Sequence, residues 1–282
     1  MVRIKSGLSA LCASLLLAGL GLTACSVRAA DLPPLPKEIK DKGVLKVGVR
    51  CDQPPYGFKD AAGNYAGIET EMALQIAEWA FGSRDKAELT CVTAENRIPQ
   101  LTGKKVDLLY ATLGVTPERA RVVAFSDAYR WDGSDVVVLK DSPIKHIADL
   151  KGKTVIALKG SNQARWFEEK MPDTESMRLN STADALQALK QKRADGAAFD
   201  IALLVGITKS DSSLRRLNEP FLLVDASAGL RKGETEWLAY VNAAQARMKA
   251  EGLYRKWAIK WAPEGTVEHY ASGFESKRPV EK

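Results

Sequence analysis

The chain has 282 residues, 45% hydrophobic and 27% charged, with a formal net charge of +6. That is ordinary globular composition, with apolar material for one large or two moderate domains. No basic run interleaved with aromatics occurs, which sets a nucleic-acid partner aside.

Arg3 and Lys5 precede an uncharged, mostly apolar run from Leu8 to Ala24, so residues 1–25 read as an export signal, slightly short for a spanning helix. Two cuts fit. Leu22-Thr23-Ala24-Cys25 resembles the bacterial lipobox, in which Cys25 is lipidated and anchors the chain to a membrane; a soluble-secretion cut falls near Ala29 or Ala30. Either cut implies a periplasmic protein, and loss of Arg3 and Lys5 lowers the net charge from +6 to +4. Residues 26–40 are expected to be a tether, since DLPPLPKEIKDKG (31–43) is proline-stiffened, polar and short of material to bury itself.

Cys12 leaves with the signal and Cys25 is lipidated or gone, so export leaves Cys51 and Cys91. An even pair in an oxidising compartment favours a disulfide over two separate buried thiols. Each lies at or near the end of a predicted strand, where neighbouring parallel strands could bring them together. With no CxxC, and with His146 and His269 far apart, neither a metal site nor a cofactor is expected.

Short β-branched runs alternate with helical patterns. VLKVGVR (44–50) predicts a strand, and in GIETEMALQIAEWAF the residues Ile68, Met72, Ile76 and Ala80 share one helical face. KAELTCVTA (86–94) predicts a second strand, NRIPQLTG a short helical turn and VDLLYATLG (106–114) a third strand. A second cycle runs through the strands SDVVVLK (134–140) and TVIAL, the latter entering a Gly-Ser turn. Ser181 caps a helix in STADALQALKQKRADG, with Leu186 and Leu189 on its apolar face, and GAAFDIALL (196–204) predicts a strand and turn. A long helical tail from TEWLAY onward turns Leu238, Val241 and Met248 inward.

This order implies parallel sheets with covering helices. Asp107 followed by Thr112 echoes Asp195 followed by Asp200, each an aspartate after a charged helix end and a polar strand tip five residues on. The echo suggests two similar lobes with crossovers near residues 132–138 and 222–230. Lobe I is expected over 41–134 plus 226–272, lobe II over 135–225 and a C-terminal tail over 273–282. Ligands in open α/β sheets sit beyond the carboxyl ends of strands. Arg119 lies just past one such end, where its planar fork could hold a carboxylate in two parallel bonds. The plainer reading is a solvated turn with Arg119 paired to Glu118 or Asp127.

LKVGVRCDQPPYGFKDAAGNYAGIETEMALQIAE, NRIPQLTGKKVDLLYATLGVTPERARVVAFSDAY, IADLKGKTVIALKGSN and RADGAAFDIALL resemble, over about residues 37–272, the periplasmic solute-binding proteins of amino-acid ABC importers. NRIP, Arg50 after the first strand and the ending TVEHYASGF look most like the glutamate/aspartate-binding branch. The resemblance implies the type II periplasmic-binding-protein fold, two doubly wound α/β lobes joined by a two-strand hinge. It implies no enzyme activity and two partners, a captured amino acid and a membrane permease. Arg119 in TPER then holds the ligand's α-carboxylate and Asp200 its α-ammonium. KGSNQ places Ser161 and nearby backbone N–H groups at the same carboxylate. The blander role for Asp200 is helix N-cap, and one residue could do both.

Arg50 stands where relatives for basic amino acids carry an acid, and with Arg97 it implies an acidic side chain in the ligand. Gln53 or Tyr56 in DQPPYGF could line the pocket, or Tyr56 could be a packing anchor. Two positions depart from the acidic branch. Residue 94 is alanine in place of a hydroxyl, and residue 114 is glycine where many relatives place a ligand-contacting threonine. Thr112 is expected to supply a hydroxyl or carbonyl, and a dicarboxylate or aromatic acid stays open as ligand. A cyclohexadienyl-dehydratase-like enzyme with Asp200 as general acid, and an accessory or sensory binding protein, are the alternatives.

Overall fold

The protein is described by a computed structural model of residues 31–279. The expected export signal, Cys25 and both cut positions lie outside the described residues.

The first lobe opens with α1 (Lys37–Lys42) and β1 (Leu45–Val49), followed by a small antiparallel sheet of β2 (Asp52–Gln53), β3 (Gly57–Lys59) and β4 (Tyr65–Ala66). Next come α2 (Ile68–Phe81), β5 (Ala87–Cys91), α3 (Arg97–Thr102), β6 (Leu108–Tyr110) and α4 (Pro117–Val122). The apolar face read from the sequence packs α2 inward: Ile68, Met72 and Ile76 are fully buried, and Gly82 closes the helix with φ +78. β7 (Ala124–Leu139) crosses to the second lobe, built from β8 (Thr154–Leu158), α5 (Asn162–Lys170), β9 (Glu175–Leu179), α6 (Thr182–Lys190), β10 (Gly196–Asp200), α7 (Ile201–Ser210) and β11 (Leu214–Arg216). β12 (Leu222–Leu230) returns, and α8 (Thr235–Ala250), α9 (Leu253–Trp261) and α10 (Val267–Glu275) cover the first lobe.

One sheet runs through both lobes in the order β5-β1-β6-β12-β7-β10-β8-β9, with β11 also on β7. β1 is parallel to β5 and β6, and β8 is parallel to β9 and β10, so each lobe has a parallel trio; β7 and β12 run antiparallel and join the trios. Separate apolar clusters cover both faces of each trio. The aspartate echo is structural. Asp107 N–H donates to the Lys46 carbonyl (2.7 Å) and Asp195 N–H to the Thr154 carbonyl (2.8 Å), while each carboxylate accepts the N–H of the same partner (3.4 and 3.0 Å). Each aspartate thus clamps the start of the neighbouring strand in its lobe. Cys51 and Cys91 form a disulfide with Cα atoms 5.5 Å apart, just past the Val49–Cys91 register pair.

Four expectations need correction. Residues 31–43 are not a free tether: Leu32 and Leu35 pack against the core, Ile39 is 2% exposed within it, and Lys42 reaches Asp107 (2.7 Å). β7 begins at Ala124, ten residues before the predicted strand, because the polar residues of AFSDAYRWDG find buried partners on other elements. Ile201–Leu204, expected as a turn after the strand, opens the longer helix α7, with Asp200 at its N-cap position. The helical tail is three helices, broken at Gly252 (φ +67) and after Trp261, and residues 273–275 belong to α10, where Phe274 is buried.

Candidate ligand-binding cleft

The cleft is built where strand ends of the two lobes meet. Arg50 follows β1 directly and is 2% exposed. Its Nε and Nη2 donate to Asp52 Oδ1 (3.0 and 2.6 Å). The other Asp52 oxygen accepts the backbone N–H of Thr182 (3.3 Å) at the head of α6 in the opposite lobe, and Gln53 Nε2 donates to Thr182 Oγ1 (2.9 Å). Arg50 and Gln53 line the hollow. Tyr56 does not, and of its two expected roles the structure shows the packing anchor: its ring lies beneath the Arg130 guanidinium (3.8 Å) and edge-on to Tyr270.

Arg97 is the first residue of α3 and 3% exposed. Its Nη1 donates to the carbonyls of Ala111 (2.6 Å) and Thr112 (3.0 Å), and its Nε is buried with no hydrogen-bond partner among the described residues. Burial first, then the guanidiniums of Arg119 and Arg50, push its pKa well below the usual arginine range, with Asp200 and Glu69 opposing. A donor so placed favours an anionic or carbonyl oxygen in the hollow. Thr112 stands just beyond β6 with φ +48, and its N–H donates to Glu69 Oε2 (2.8 Å), whose other oxygen accepts from Tyr129 (2.6 Å). A left-handed β-branched residue costs about 1–3 kcal/mol, and here a fully buried carboxylate holds it at the cleft wall.

Arg119 sits in α4, whose N-cap Thr116 accepts the Arg119 N–H (3.2 Å). Its Nη1 donates to the Gly114 carbonyl (2.7 Å) and its Nη2 to the Gly160 carbonyl of the opposite lobe (2.9 Å), so this arginine bridges the lobes. It pairs with neither Glu118 nor Asp127; Glu118 pairs instead with Arg165 of the opposite lobe. Burial lowers the Arg119 pKa to about 10, with Asp200 opposing. Asp200 ends β10 at the N-cap position of α7, yet its side chain makes no capping bond; Oδ1 accepts from Gln163 Nε2 (2.7 Å), which also reaches Ser134 Oγ (2.8 Å). Ser161 is the N-cap of α5, its hydroxyl accepting the Ala164 N–H (3.1 Å), and a Cβ on Gly114 would fall 2.3 Å from Asn162 Nδ2. The glycine at 114 therefore makes room for a side chain of the other lobe.

Arg50, Gln53, Arg97, Thr112, Gly114, Ser161 and Asp200 line one interlobe hollow; Arg119 is not among its lining residues but lines an adjoining hollow that shares Ala94, Ser161 and Asn162 with it. Sequence reasoning missed Arg130 and Asp132 on β7, which also line the hollow and are 4% and 6% exposed. Arg130 Nη1 donates to Asp132 Oδ2 (3.2 Å), and its Nε lies 3.6 Å from Glu69. Burial raises the Asp132 pKa to about 7, against the pull of Arg130. No motif marks this pair, since its segment reads as a polar loop.

A two-lobed α/β clamp with a charged hollow between strand tips defines a solute-binding protein of the type II periplasmic fold. Residues 45–264 match the model of the bacterial extracellular solute-binding proteins, family 3, and the chain belongs to that family. It is 32% identical over 232 residues to the ABC transporter glutamine-binding protein of Bacillus subtilis (82% of this chain, 85% of that one). It is 28% identical over 227 residues to the L-cystine-binding protein of Escherichia coli (79% and 84%). The solved solute receptor for L-cysteine of Neisseria gonorrhoeae matches with a TM-score of 0.76 and 32% identity, covering 79% of this chain and 93% of that one.

Proposed function

We propose that this chain is the substrate-binding subunit of an ABC importer, with lobe I running from α1 to about residue 134 and again from about residue 226 through α10, and lobe II over 135–225. It captures an L-amino acid outside the cytoplasmic membrane and presents it to a membrane permease, held near the membrane through Cys25 where that residue is lipidated. One observation carries the reading: Asp200 of one lobe lines the charged hollow, and the Arg119 guanidinium of the other lies within its electrostatic reach, lining an adjoining hollow that shares Ala94, Ser161 and Asn162 with the first. A zwitterion supplies the complementary charges, its carboxylate taking the fork and its ammonium the acid. Relatives named for glutamine, cystine and cysteine bind ligands of this class.

The side chain of the ligand faces Arg50, Arg97, Thr112 and Gly114. The two guanidiniums favour an oxygen-bearing terminus, acidic as in glutamate and aspartate. Asp52 already takes two bonds from Arg50, which weakens discrimination between an acid and its amide and makes glutamine the third candidate. A thermal-shift panel of amino acids tests this: glutamate, aspartate or glutamine raises the melting temperature, by the equivalent of about 2.7 kcal/mol at a hundredfold excess over Kd, and lysine leaves it unchanged. A panel in which no amino acid shifts the transition removes the reading. Turnover of prephenate would replace it with the dehydratase alternative.

A further inference from the structure

Asp132 is a buried carboxyl in the wall of the hollow to which the ligand contacts above give no role. β10 pairs with β7 so that Asp200 faces Ser134, and Asp132, two residues away on β7, points to the same side of the sheet. The Asp132 and Asp200 side chains are therefore diagonal neighbours on one face, within reach of a common small group. Both line the hollow, and Gln163 donates to Asp200 and to Ser134, the residue opposite it on β7. We propose that Asp132 is a second seat for the ligand's α-ammonium, so that capture of an amino acid between Asp200 and Asp132 expels a proton from Asp132. This rests on the amino-acid reading above.

The surroundings of Asp132 fit such a switch. On its own strand Arg130 pairs with it, and Glu69 of α2 faces that arginine from the other side. Tyr56 from the loop after β2 and Tyr270 of α10 lie within its field; Asp200 at the end of β10 repels its anion, and the N–H groups of Gly133 and of Ala202 at the head of α7 stabilise that anion. Burial outweighs these attractions and holds its pKa at about 7 in the ligand-free protein. An ammonium favours the ionised carboxylate, so the complex holds fewer protons than the free protein. Affinity must then rise with pH through about 7 and level off above it. For full proton loss the gain from pH 6 to pH 8 is about tenfold, and at pH 7 about half a proton leaves per ligand bound.

Calorimetric titration of the mature protein with L-glutamate, L-aspartate and L-glutamine, in phosphate and in Tris at pH 6, 7 and 8, reads both quantities. The expected result is a buffer-dependent heat reporting about half a proton released at pH 7, together with the tenfold rise. Asp132→Asn, similar in shape, should bind more weakly at pH 8, release no proton and show a flat profile. 2-Oxoglutarate, which lacks the ammonium, should release none. Proton release that persists in Asp132→Asn, or none in the wild type despite binding, overturns the assignment and leaves the amino-acid reading intact. Failure of all three amino acids to bind overturns both. A lowered melting temperature in Asp132→Asn with unchanged proton release marks a purely structural residue and also overturns it.

Discussion

Gly160→Ala tests whether the closed arrangement of the lobes is the binding arrangement. Gly160 follows β8 with φ +70, and a Cβ there would lie 2.8 Å from the Ala94 carbonyl oxygen and 2.9 Å from the Glu95 Cα, both backbone atoms of the opposite lobe. Each distance is about half an ångström short of ordinary contact at 3.4 Å. The obstacle is main chain, so no rotamer change relieves it and the lobes must part. Overpacking of this kind costs about 1–3 kcal/mol, and it burdens only the closed state. Affinity should therefore fall about 5- to 150-fold, at 1.4 kcal/mol per factor of ten. The left-handed backbone adds about 1 kcal/mol of strain for alanine, open or closed, which lowers the melting temperature of the ligand-free protein by about 2–4 °C without touching affinity. Calorimetry with the amino acid found in the panel and a melting curve of the free protein separate the two effects. A lowered melting temperature with unchanged Kd would refute the reasoning, because the Gly160 contact would then be absent from the bound form.

Arg119→Ala removes both the fork offered to the ligand and the bond to Gly160, and should weaken every amino-acid ligand by about 30- to 4,000-fold, for a loss of about 2–5 kcal/mol; calorimetry showing less than a fivefold change contradicts the role. Arg50→Ala should weaken glutamate and aspartate more than glutamine, and an equal loss for all three would sink the side-chain assignment. Cys51→Ser with Cys91→Ser opens a loop spanning a sequence separation of 40 and should cost about 4 kcal/mol on the loop-entropy account. An unchanged denaturation midpoint would show that the bridge is energetically idle.

Much of the lining of the candidate cleft was legible because its residues sit at strand ends with local signatures. VLKVGVR, VDLLYAT and GAAFD are β-branched or apolar runs that stop at a polar residue, and Arg50, Thr112 and Asp200 stand at those stops. The 3.6-residue spacing of Ile68, Met72 and Ile76 announces a helix packed on a core. The capping serine at 181 announces a helix start and accepts the N–H three residues on. The two aspartates of the echo likewise act within a few ångströms of their own lobe's first strand.

The sequence by itself therefore determined the α/β alternation, the strand tips that carry charge, and the cysteine pair, because each is set by local periodicity, local chemistry or simple counting. Only the tertiary structure decided that AFSDAYRWDG is a strand through the hinge, that Ile39 belongs to the core and that Arg130 and Asp132 face the hollow. The reason is physical: a polar run in a sequence looks solvated, and nothing short of the folded chain shows that Glu69, 61 positions before Arg130, is buried beside it. The same holds for Gly114 and Gly160, whose lack of a side chain acquires meaning only when the opposite lobe arrives within 3 Å.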